Sequence, residues 1–340
     1  MPKNSNRPTS SGRLGFGISG ELHFDDPDAF AAAFPGGNYG VIPLDHEPFH
    51  SAIKMANLGG GVSVRSASFA GGVLIRAEFV GDLPTIAFLF PCINGGHAVF
   101  NGREADPRSL TVSHGNISSQ FRLQGPHELA AITIQRDTML EAYDALSGGR
   151  APACLSSSTL MTVNPTHAER IGILCGEAND MLKLLPGTKP QMNPIPGLNL
   201  LRDRMLATLI TTIATDRDER DRRAMSRQTA AMARIERHID DHAHEISGLQ
   251  DLCAGVGMAL RTIEAIIRSR TGLTALDYLK RRRLAFVHRQ LLNPVGATTV
   301  ANAALSFGFL HFGRFSAEYR RAYGELPSHT LARTLGKSID

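Results

Sequence analysis

The chain has 340 residues, of which 42% are hydrophobic, and its 36 lysines and arginines exceed its 32 acidic residues by only four. This length and apolar content can bury the cores of two or three domains, whereas the net charge by itself does not indicate nucleic-acid binding. The sequence contains no run of about 18 apolar residues and no apolar signal-peptide core near Met1. We therefore expect a cytoplasmic protein that makes no contact with a membrane and whose residues 1–15 are disordered.

The residue types that carry catalysis do not occur in recognisable arrangements. The sequence contains no nucleophile elbow, phosphate-binding loop or dinucleotide-binding fingerprint. Its four cysteines form no CxxC pair and lack zinc-site spacing, so we interpret them as reduced core residues: Cys92, Cys154, Cys175 and Cys253. The sequence thus predicts no enzymatic activity, no cofactor and no metal.

Short apolar or alternating segments, separated by glycine, asparagine and proline, fill residues 39–135. Strands at this spacing are typical of a small barrel or sandwich, and Asn101-Gly102 between two of them predicts a tight hairpin. We assign residues 16–160 to this β-rich domain. The predicted strands cover residues 49–56, 62–69, 73–79, 85–90, 98–100, 110–113, 118–123 and 129–135.

The mouth of such a barrel is a common ligand site. His50, Arg65 and His97 have side chains that can orient an anionic or hydroxylated effector, and Phe88 and Phe90 alternate onto one strand face. We take these five residues as candidates for an effector site, although core packing explains the two phenylalanines more readily. The histidines of this region lack the His-x-His spacing of a cupin metal centre.

Two helical stretches and a charged segment follow the predicted strands. Apolar residues recur at steps of three and four over residues 171–185 and 198–213. Such stripes are usually core, and pairing of two subunits through residues 161–215 is the alternative. Residues 216–223 hold four acids and four arginines, which predicts an exposed linker over residues 216–226.

A pattern of short helix, glycine turn, second helix and glycine stop occurs twice after residue 227. Gly257 in the first copy corresponds to Gly308 in the second, and Gly272 corresponds to Gly324. Glycine suits such turns because it adopts positive φ without a Cβ clash. The arrangement predicts two helix-turn-helix units.

The second helix of each unit has one apolar and one polar face. The apolar positions recur every four residues: Ile263 and Ile267 in the first unit, and Phe315, Tyr319 and Tyr323 in the second. Ordinary helical hairpins with solvated charges are the alternative, but two copies in one basic segment favour helices that read a DNA groove. The polar positions are Arg261, Glu264 and Arg268 in the first unit, and His311, Arg314 and Glu318 in the second.

A longer helix is predicted between the two units, over residues 275–291, with Thr274 as its N-cap and Asn293-Pro294 as its stop. At about 1.5 Å per residue it spans roughly 26 Å. The two units could therefore lie about one DNA turn, roughly 34 Å, apart. Its buried stripe is predicted to consist of Leu276, Leu279, Leu284, Val287 and Leu291.

Specific strings occur at the spacing of a known family. They are residues 308–315 (GFLHFGRF), residues 323–328 (YGELPS) and, in the first unit, residues 249–254 with the Arg261-Thr262-Ile263 step. With them, residues 228–333 resemble the DNA-binding domain of the AraC/XylS family of bacterial transcription regulators. The two strings are most similar to the XylS-like and ethanolamine-regulator-like branch.

Two departures from the family pattern lie at helix starts. Ala259 stands where the family usually has a serine that caps the first reading helix, and such a cap contributes about 1 kcal/mol. Leu310 lies near the equivalent position of the second unit, where His311 could substitute as the cap. We expect either weaker DNA reading by the first unit or a first reading helix that becomes ordered on DNA.

The resemblance implies an α+β protein with a cupin-like β-barrel or sandwich that senses a small molecule. It further implies helices over residues 161–215 that pair two subunits, and an all-α domain over residues 227–335 that binds double-stranded DNA through two helix-turn-helix units joined by a long helix. Activation of transcription, a homodimer and contact with RNA polymerase follow from the same resemblance. The predicted DNA contacts are Arg261, Thr262, Glu264, Arg268, His311, Gly313 and Arg314.

The charge distribution agrees with this assignment. Residues 227–340 hold 16 basic and 10 acidic residues, whereas residues 1–226 hold 20 and 22, so positive charge is concentrated where phosphates would lie. Arg261 and Arg314 suit guanine and Glu264 suits the cytosine amino group, while Arg268 and His311 suit phosphates. The alternative is an effector-independent or weakly specific DNA-binding protein whose barrel only mediates assembly.

Overall fold

The computed structural model has an α+β fold, as predicted. The predicted disordered N-terminus, and with it Cys92 and Cys154, lie outside the residues that it describes. The described residues are 20–34, 38–45, 48–79, 85–91, 97–106, 108–113, 117–147, 155, 159–184, 196–214, 220–246 and 248–336.

Two antiparallel sheets form the N-terminal part of the described chain. The large sheet has the strand order β1-β3-β4-β11-β6-β9-β12, and the small sheet has the order β2-β5-β10-β7-β8. The strands are β1 (Gly20–Phe24), β2 (Asn38–Pro43), β3 (Ser51–Gly59), β4 (Val62–Phe69), β5 (Val73–Phe79), β6 (Thr85–Pro91), β7 (Ala98–Phe100), β8 (Arg103–Ala105), β9 (Ser109–Ser113), β10 (Ile117–Leu123), β11 (His127–Gln135) and β12 (Thr159–Thr162).

The eight predicted strands are confirmed to within two residues at each end, except that β3 extends to Gly59. Asn101 and Gly102 connect β7 and β8 with φ values of +51° and +83°, which confirms the predicted hairpin. Strands β1, β2, β8 and β12 were not predicted. They are three to six residues long, and β2, β8 and β12 lack a clear alternation of apolar and polar residues. Strand β1 does alternate, but it precedes residues 39–135, over which the strands were predicted.

Three helices cover the outer face of the large sheet: α2 (Arg136–Ser147), α3 (Pro165–Leu184) and α4 (Pro196–Ala214). The apolar residues of α3 and α4 pack with those of the sheet in one buried cluster. Both predicted apolar stripes therefore belong to the core of their own chain. Helix α1 (Pro27–Ala32) follows β1 and is capped by the Asp26 side chain.

The C-terminal part is entirely helical, as predicted. The linker predicted over residues 216–226 differs from the structure, because α5 already begins at Arg220. The helices are α5 (Arg220–Asp241), α6 (Leu249–Val256), α7 (Leu260–Thr271), α8 (Ala275–Leu292), α9 (Val300–Ser306), α10 (Phe312–Tyr323) and α11 (Pro327–Thr334).

Helix α8 confirms the predicted connector, and the Thr274 hydroxyl accepts from the amide of Asp277 at its start. The prediction that Leu276 is buried is wrong, since it is 59% exposed and Ala275 and Tyr278 take its place in the core. The predicted stripe starts one position away from the face that packs inward.

The molecule is thus built in four layers, with a buried apolar cluster between each pair of neighbours. Helices α2–α4 cover the large sheet, the small sheet lies against its other face, and the helical domain packs on the small sheet's outer face. Ile42 and Leu74 of the small sheet enter the core formed by α5–α8. Residues that alternate with the inner apolar positions of β2, β5 and β10 therefore face the helical domain.

Candidate nucleic-acid interface

The first helix-turn-helix unit consists of α6, a turn at Gly257 and α7. Gly257 has a φ of +67°, and its amide donates to the carbonyl of Cys253 over 2.9 Å. This is the left-handed helix end that glycine favours. Helix α7 starts after Ala259, which forms no side-chain cap, and ends at Gly272 with a φ of +69°. The predicted loss of the first cap is confirmed.

The second unit repeats this arrangement with α9, a turn at Gly308 and α10. Gly308 has a φ of +80°, and Gly324, at +74°, ends α10. The expectation that His311 substitutes as a cap is wrong, because His311 occupies the N-cap position but its ring forms no cap hydrogen bond. Both reading helices therefore begin without a side-chain cap, which leaves first-turn amides for an external acceptor such as a phosphate.

The second helices of both units present one polar face outward. Arg261, Thr262 and Arg268 are exposed on α7. The apolar face is buried in both helices, since Ile263, Ile267, Phe315 and Tyr319 are at most 1% exposed. At the start of α10 the predicted contacts His311, Gly313 and Arg314 are exposed as well.

Glu264 is the predicted contact that the structure places differently. It is half-buried, and one carboxylate oxygen accepts from the amide of Ala275 over 3.4 Å. The same oxygen lies 3.9 Å from Arg268. Glu264 thus holds the end of α7 to the start of α8, and a contact with cytosine would compete with that role.

Three exposed apolar side chains at the starts of the reading helices were missed by sequence reasoning. Leu260 is 49% exposed, Leu310 73% and Phe312 43%. The available signal was a large apolar residue outside the four-residue periodicity. Exposed apolar groups of this kind can contact thymine methyl groups in the major groove.

Much of the positive charge in the helical domain is used internally. Arg270 and Arg282 are at most 1% exposed, Arg281 donates to the carbonyl of Pro43, and Arg283 donates to the carbonyl of Ile246. A count of basic residues therefore overstates the charge available to phosphates. Burial lowers the pKa of Arg270 to about 10.

The β-domain contacts the C-terminal ends of both reading helices. A Cβ atom on Gly102 would overlap the carbonyl oxygen of Ser269, near the end of α7, and a Cβ on Gly324 would lie 3.1 Å from Pro48. A Cβ on Gly272, the residue that follows α7, would likewise overlap the guanidinium of Arg122. Except for Glu264, in the middle of α7, and Arg268, near its C-terminal end, the predicted DNA contacts lie at or near the opposite ends of α7 and α10. One body therefore holds both helices while their first turns stay exposed.

A chain of hydrogen bonds joins α1 to the second unit. His288 on α8 lies 2.7 Å from Asp26 through Nε2 and 2.6 Å from the Tyr319 hydroxyl through Nδ1. Tyr319 donates to Thr330, which donates to Glu325. The ligand atoms of Asp26, Asp28 and His288 lie within 4.8 Å of one another. We interpret this group as a polar contact rather than a metal site, because hydrogen bonds already occupy both nitrogens of His288.

A second polar contact joins β5 to the helical domain. Arg76, 2% exposed, lies 2.6 Å from Asp240 and 3.8 Å from Glu236, and Asp240 also accepts from Arg282. Burial acts to lower the pKa of Arg76, but the carboxylates of Glu236 and Asp240 together raise it above its ordinary value. Removing the arginines would leave the buried carboxylates without a compensating charge, and removing the carboxylates would do the same to the arginines.

The five effector candidates do not share one site. His50 is exposed and lies 2.6 Å from Asp25, and exposed His97 lies 3.0 Å from Glu104. Phe88 and Phe90 belong to the core between the large sheet and helices α2–α4. Arg65 alone of the five lies on the inner face of the large sheet, on the same side of β4 as Ala67 and Phe69.

Two helix-turn-helix units joined by one helix, with exposed polar faces at the starts of their second helices, define a DNA-binding protein. Residues 252–333 match the family model of a helix-turn-helix domain. The XylDLEGF operon transcriptional activator 2 of Pseudomonas putida is 29% identical over 142 residues, which cover 42% of this chain and 86% of that protein. Activator 3 of the same organism is 26% identical, and the match spans about half of each chain, 50% and 48%.

A solved structure gives a match of higher identity over a smaller part of the chain. The probable AraC family transcriptional regulator of Rhodopseudomonas palustris is 33% identical and covers 31% of this chain and 97% of its own, with a TM-score of 0.28. The chain belongs to the AraC/XylS family of transcription regulators. Among the residues that the structure describes, no helix is both long enough and apolar enough to cross a membrane.

Proposed function

We propose that the chain activates transcription from specific promoter sites and that a small molecule bound in its β-domain controls this activity. The observation that carries the proposal is the position of the β-domain, which touches the C-terminal ends of α7 and α10 through Gly102 and Pro48. A ligand that changes the β-domain would change the placement of both reading helices. Such control requires different affinities of the ligand for two arrangements of the protein.

The DNA contacts fall into two kinds. Arg261 and Arg314, both exposed near the starts of their helices, are proposed to bond guanine bidentately. Thr262, Arg268, His311 and the amide of Gly313 are proposed to contact phosphates or flanking groups. Glu264 is proposed to position α7, because it is bonded to Ala275.

The polar contacts between the β-domain and the helical domain support movement between them. Arg76 of the β-domain forms an ion pair with Asp240 of the helical domain, and water can replace it when the surfaces part. Interfaces of this kind within one chain commonly permit relative domain motion.

Assembly as a homodimer and contact with RNA polymerase complete the proposal. Ile173 on α3 is 54% exposed and Leu200 on α4 is 63% exposed, both on the solvent side of the helices that cover the large sheet. These side chains are the proposed dimer contacts. Ile173→Ser with Leu200→Ser should convert a dimer to a monomer in sedimentation, and a monomeric wild type would remove this part of the proposal.

The experiment for the whole proposal is selection of fragmented host genomic DNA on the full-length protein. Recovery of a few promoter intervals by the wild type, and not by the Arg261→Ala/Arg314→Ala variant, is the expected result. The neighbouring genes then supply candidate effectors for transcription assays. Broad recovery by both proteins would favour the weakly specific alternative, in which the duplicated units supply charge only.

A further inference from the structure

Polar and small side chains share one end of the large sheet's inner face. Ser63 and Arg65 of β4 pair with Thr133 and Ala131 of β11, so their side chains lie side by side. They face the small sheet, because Phe69 on the same face of β4 is part of the apolar cluster between the sheets. The other half of this face is apolar, with Ile53, Leu129 and Phe69.

The small sheet presents a matching surface at the same end. Ala77 of β5 lies between Tyr39 of β2 and Ser119 of β10, on the inner face marked by Ile75 and Phe121. The short turn from Phe69 to Val73 joins the apolar ends of the two sheets, which brings their polar ends together. Burial raises the pKa of Tyr39 to about 12 and the charge of Arg65 opposes that rise, as expected for neighbours.

Three polar atoms of this region are buried without a partner. Ser63 is 0% exposed and Ser119 is 1% exposed, and neither hydroxyl has a hydrogen-bond partner among the described residues. The Nε atom of Arg65 is likewise buried and unbonded within the described part of the chain. Buried donors are normally satisfied, so three such atoms between facing sheets indicate a missing acceptor.

Small, partly accessible side chains line the same region. Ala77, Ala87 and Ala131 all point between the sheets and remain partly accessible, whereas Ile75 and Phe121 in the next row are buried. Facing sheets lie about 10 Å apart, a gap that large side chains normally fill. Alanine at three positions leaves room for a slim ligand beside Arg65.

We propose that this gap binds a small molecule with one carboxylate and a slim apolar body, with Arg65 holding the carboxylate and Ser63 and Ser119 donating to it. The inference rests on the proposed function and names the chemical class of its effector. One guanidinium balances one negative charge, whereas a dianion would keep an uncompensated charge between the sheets. The alanine side chains give the apolar body its contacts.

The test is calorimetric titration of the full-length protein with benzoate and hexanoate. The matched neutral probes are benzamide and hexanamide, and phenyl phosphate is the dianionic probe. At least one carboxylate should bind, with its amide and the phosphate at least about tenfold weaker, because a charge-assisted bond is roughly twice as strong as a neutral one. Arg65→Gln should weaken the carboxylate at least about tenfold, and Ser63→Ala or Ser119→Ala should weaken it less.

Thermal unfolding without a probe separates a binding role from a structural one. Arg65→Gln should unfold at the same or a higher temperature than the wild type, because it removes a half-buried charge whose Nε atom is unbonded among the described residues. The matched control is Arg108→Gln, which changes an exposed arginine of the same domain and should bind the probe as the wild type does. A marked loss of stability in Arg65→Gln, or no binding of either carboxylate at millimolar concentration, would overturn the site.

The DNA selection tests the proposed function independently. Carboxylate binding with no promoter selection would keep this site and remove the regulator proposal. Promoter selection by a protein that binds neither carboxylate would keep the regulator proposal and remove this site.

Discussion

The imidazole of His288 and the hydroxyl of Tyr319 form a buried hydrogen bond of 2.6 Å between the connecting helix and the second reading helix. Thr330 donates to Glu325 and Tyr319 donates to Thr330, so Tyr319 can only accept from Nδ1 of His288. The other nitrogen faces the carboxylate of Asp26 over 2.7 Å.

Tyr319→Phe should lower the free energy of unfolding by about 1–3 kcal/mol, because it leaves buried polar partners unsatisfied. The control is Tyr323→Phe, which alters the ring stacked on the same imidazole at 3.8 Å. The Tyr323 hydroxyl has no hydrogen-bond partner in the described ranges, so its loss should be nearly neutral. Denaturant unfolding of both variants measures the two losses. Equal losses would contradict a stabilising role for the series of hydrogen bonds through Tyr319.

Asp26 and Asp28 should respond oppositely to pH. The pKa of Asp28 is raised, chiefly by burial. Burial also acts to raise the pKa of Asp26, but His288 and the amides of Asp28 and Ala29 hold it below its ordinary value. Asp26 therefore stabilises the fold above the unfolded-state pKa and loses this effect in acid, whereas ionised Asp28 costs stability at neutral pH and favours the fold once protonated.

The matched variants are Asp26→Asn and Asp28→Asn. At neutral pH the first should destabilise the protein and the second should stabilise it, and both differences should shrink as the pH falls to about 3, below ordinary carboxyl pKa values. Chemical unfolding across that range measures both. Effects of the same sign at neutral pH would refute the assignment.

Gly102→Ala should loosen the contact between the β-domain and α7. The added methyl group would overlap Ser269, and the position also has a φ of +83°, where alanine costs roughly 1–2 kcal/mol. Gly125→Ala is the control, since it has a φ of +71° but nothing within 4 Å. Limited proteolysis between the domains should accelerate for Gly102→Ala alone, and identical digestion of the two would count against the contact.

Ala259→Ser should stabilise α7 by about 1 kcal/mol, because Ala259 already has the extended backbone of an N-cap, with φ of −64° and ψ of 145°. Ala265→Ser, in the exposed middle of the same helix, adds the same hydroxyl without a cap and should not stabilise. Thermal unfolding compares them. A gain for both variants, or for neither, would show that the missing cap is not a weak point.

The sequence was informative wherever local chemistry fixes local structure. Gly257, Gly272 and Gly324 marked helix ends because only glycine adopts positive φ easily there. Alternating apolar residues located β4 and β5 to the residue. The duplicated pattern located both reading helices and the arginines that their polar faces expose, whereas Glu264 and Glu318 of the predicted polar faces are half-buried.

Relations between distant segments could not be read in this way. Nothing local in Asp26 or Arg76 indicates that they meet His288 and Asp240, because charged residues usually lie in water. Arg282 lies in the basic run of residues 280–283, where exposure would be expected, yet its position on α8 buries it. The effector candidates failed to cluster for the same reason, since alternation along a strand does not tell which face of a sheet meets the helices.

The most direct test of the central claim is selection of binding sites from random DNA by the wild type and by the single variants Arg261→Ala and Arg314→Ala. We expect the wild type to select two short elements about one helical turn apart. Each variant should relax the sequence of a different element at a cost of about 1–3 kcal/mol. Uniform weakening across both elements, with the selected sequence unchanged, would contradict the claim that the two units read DNA bases.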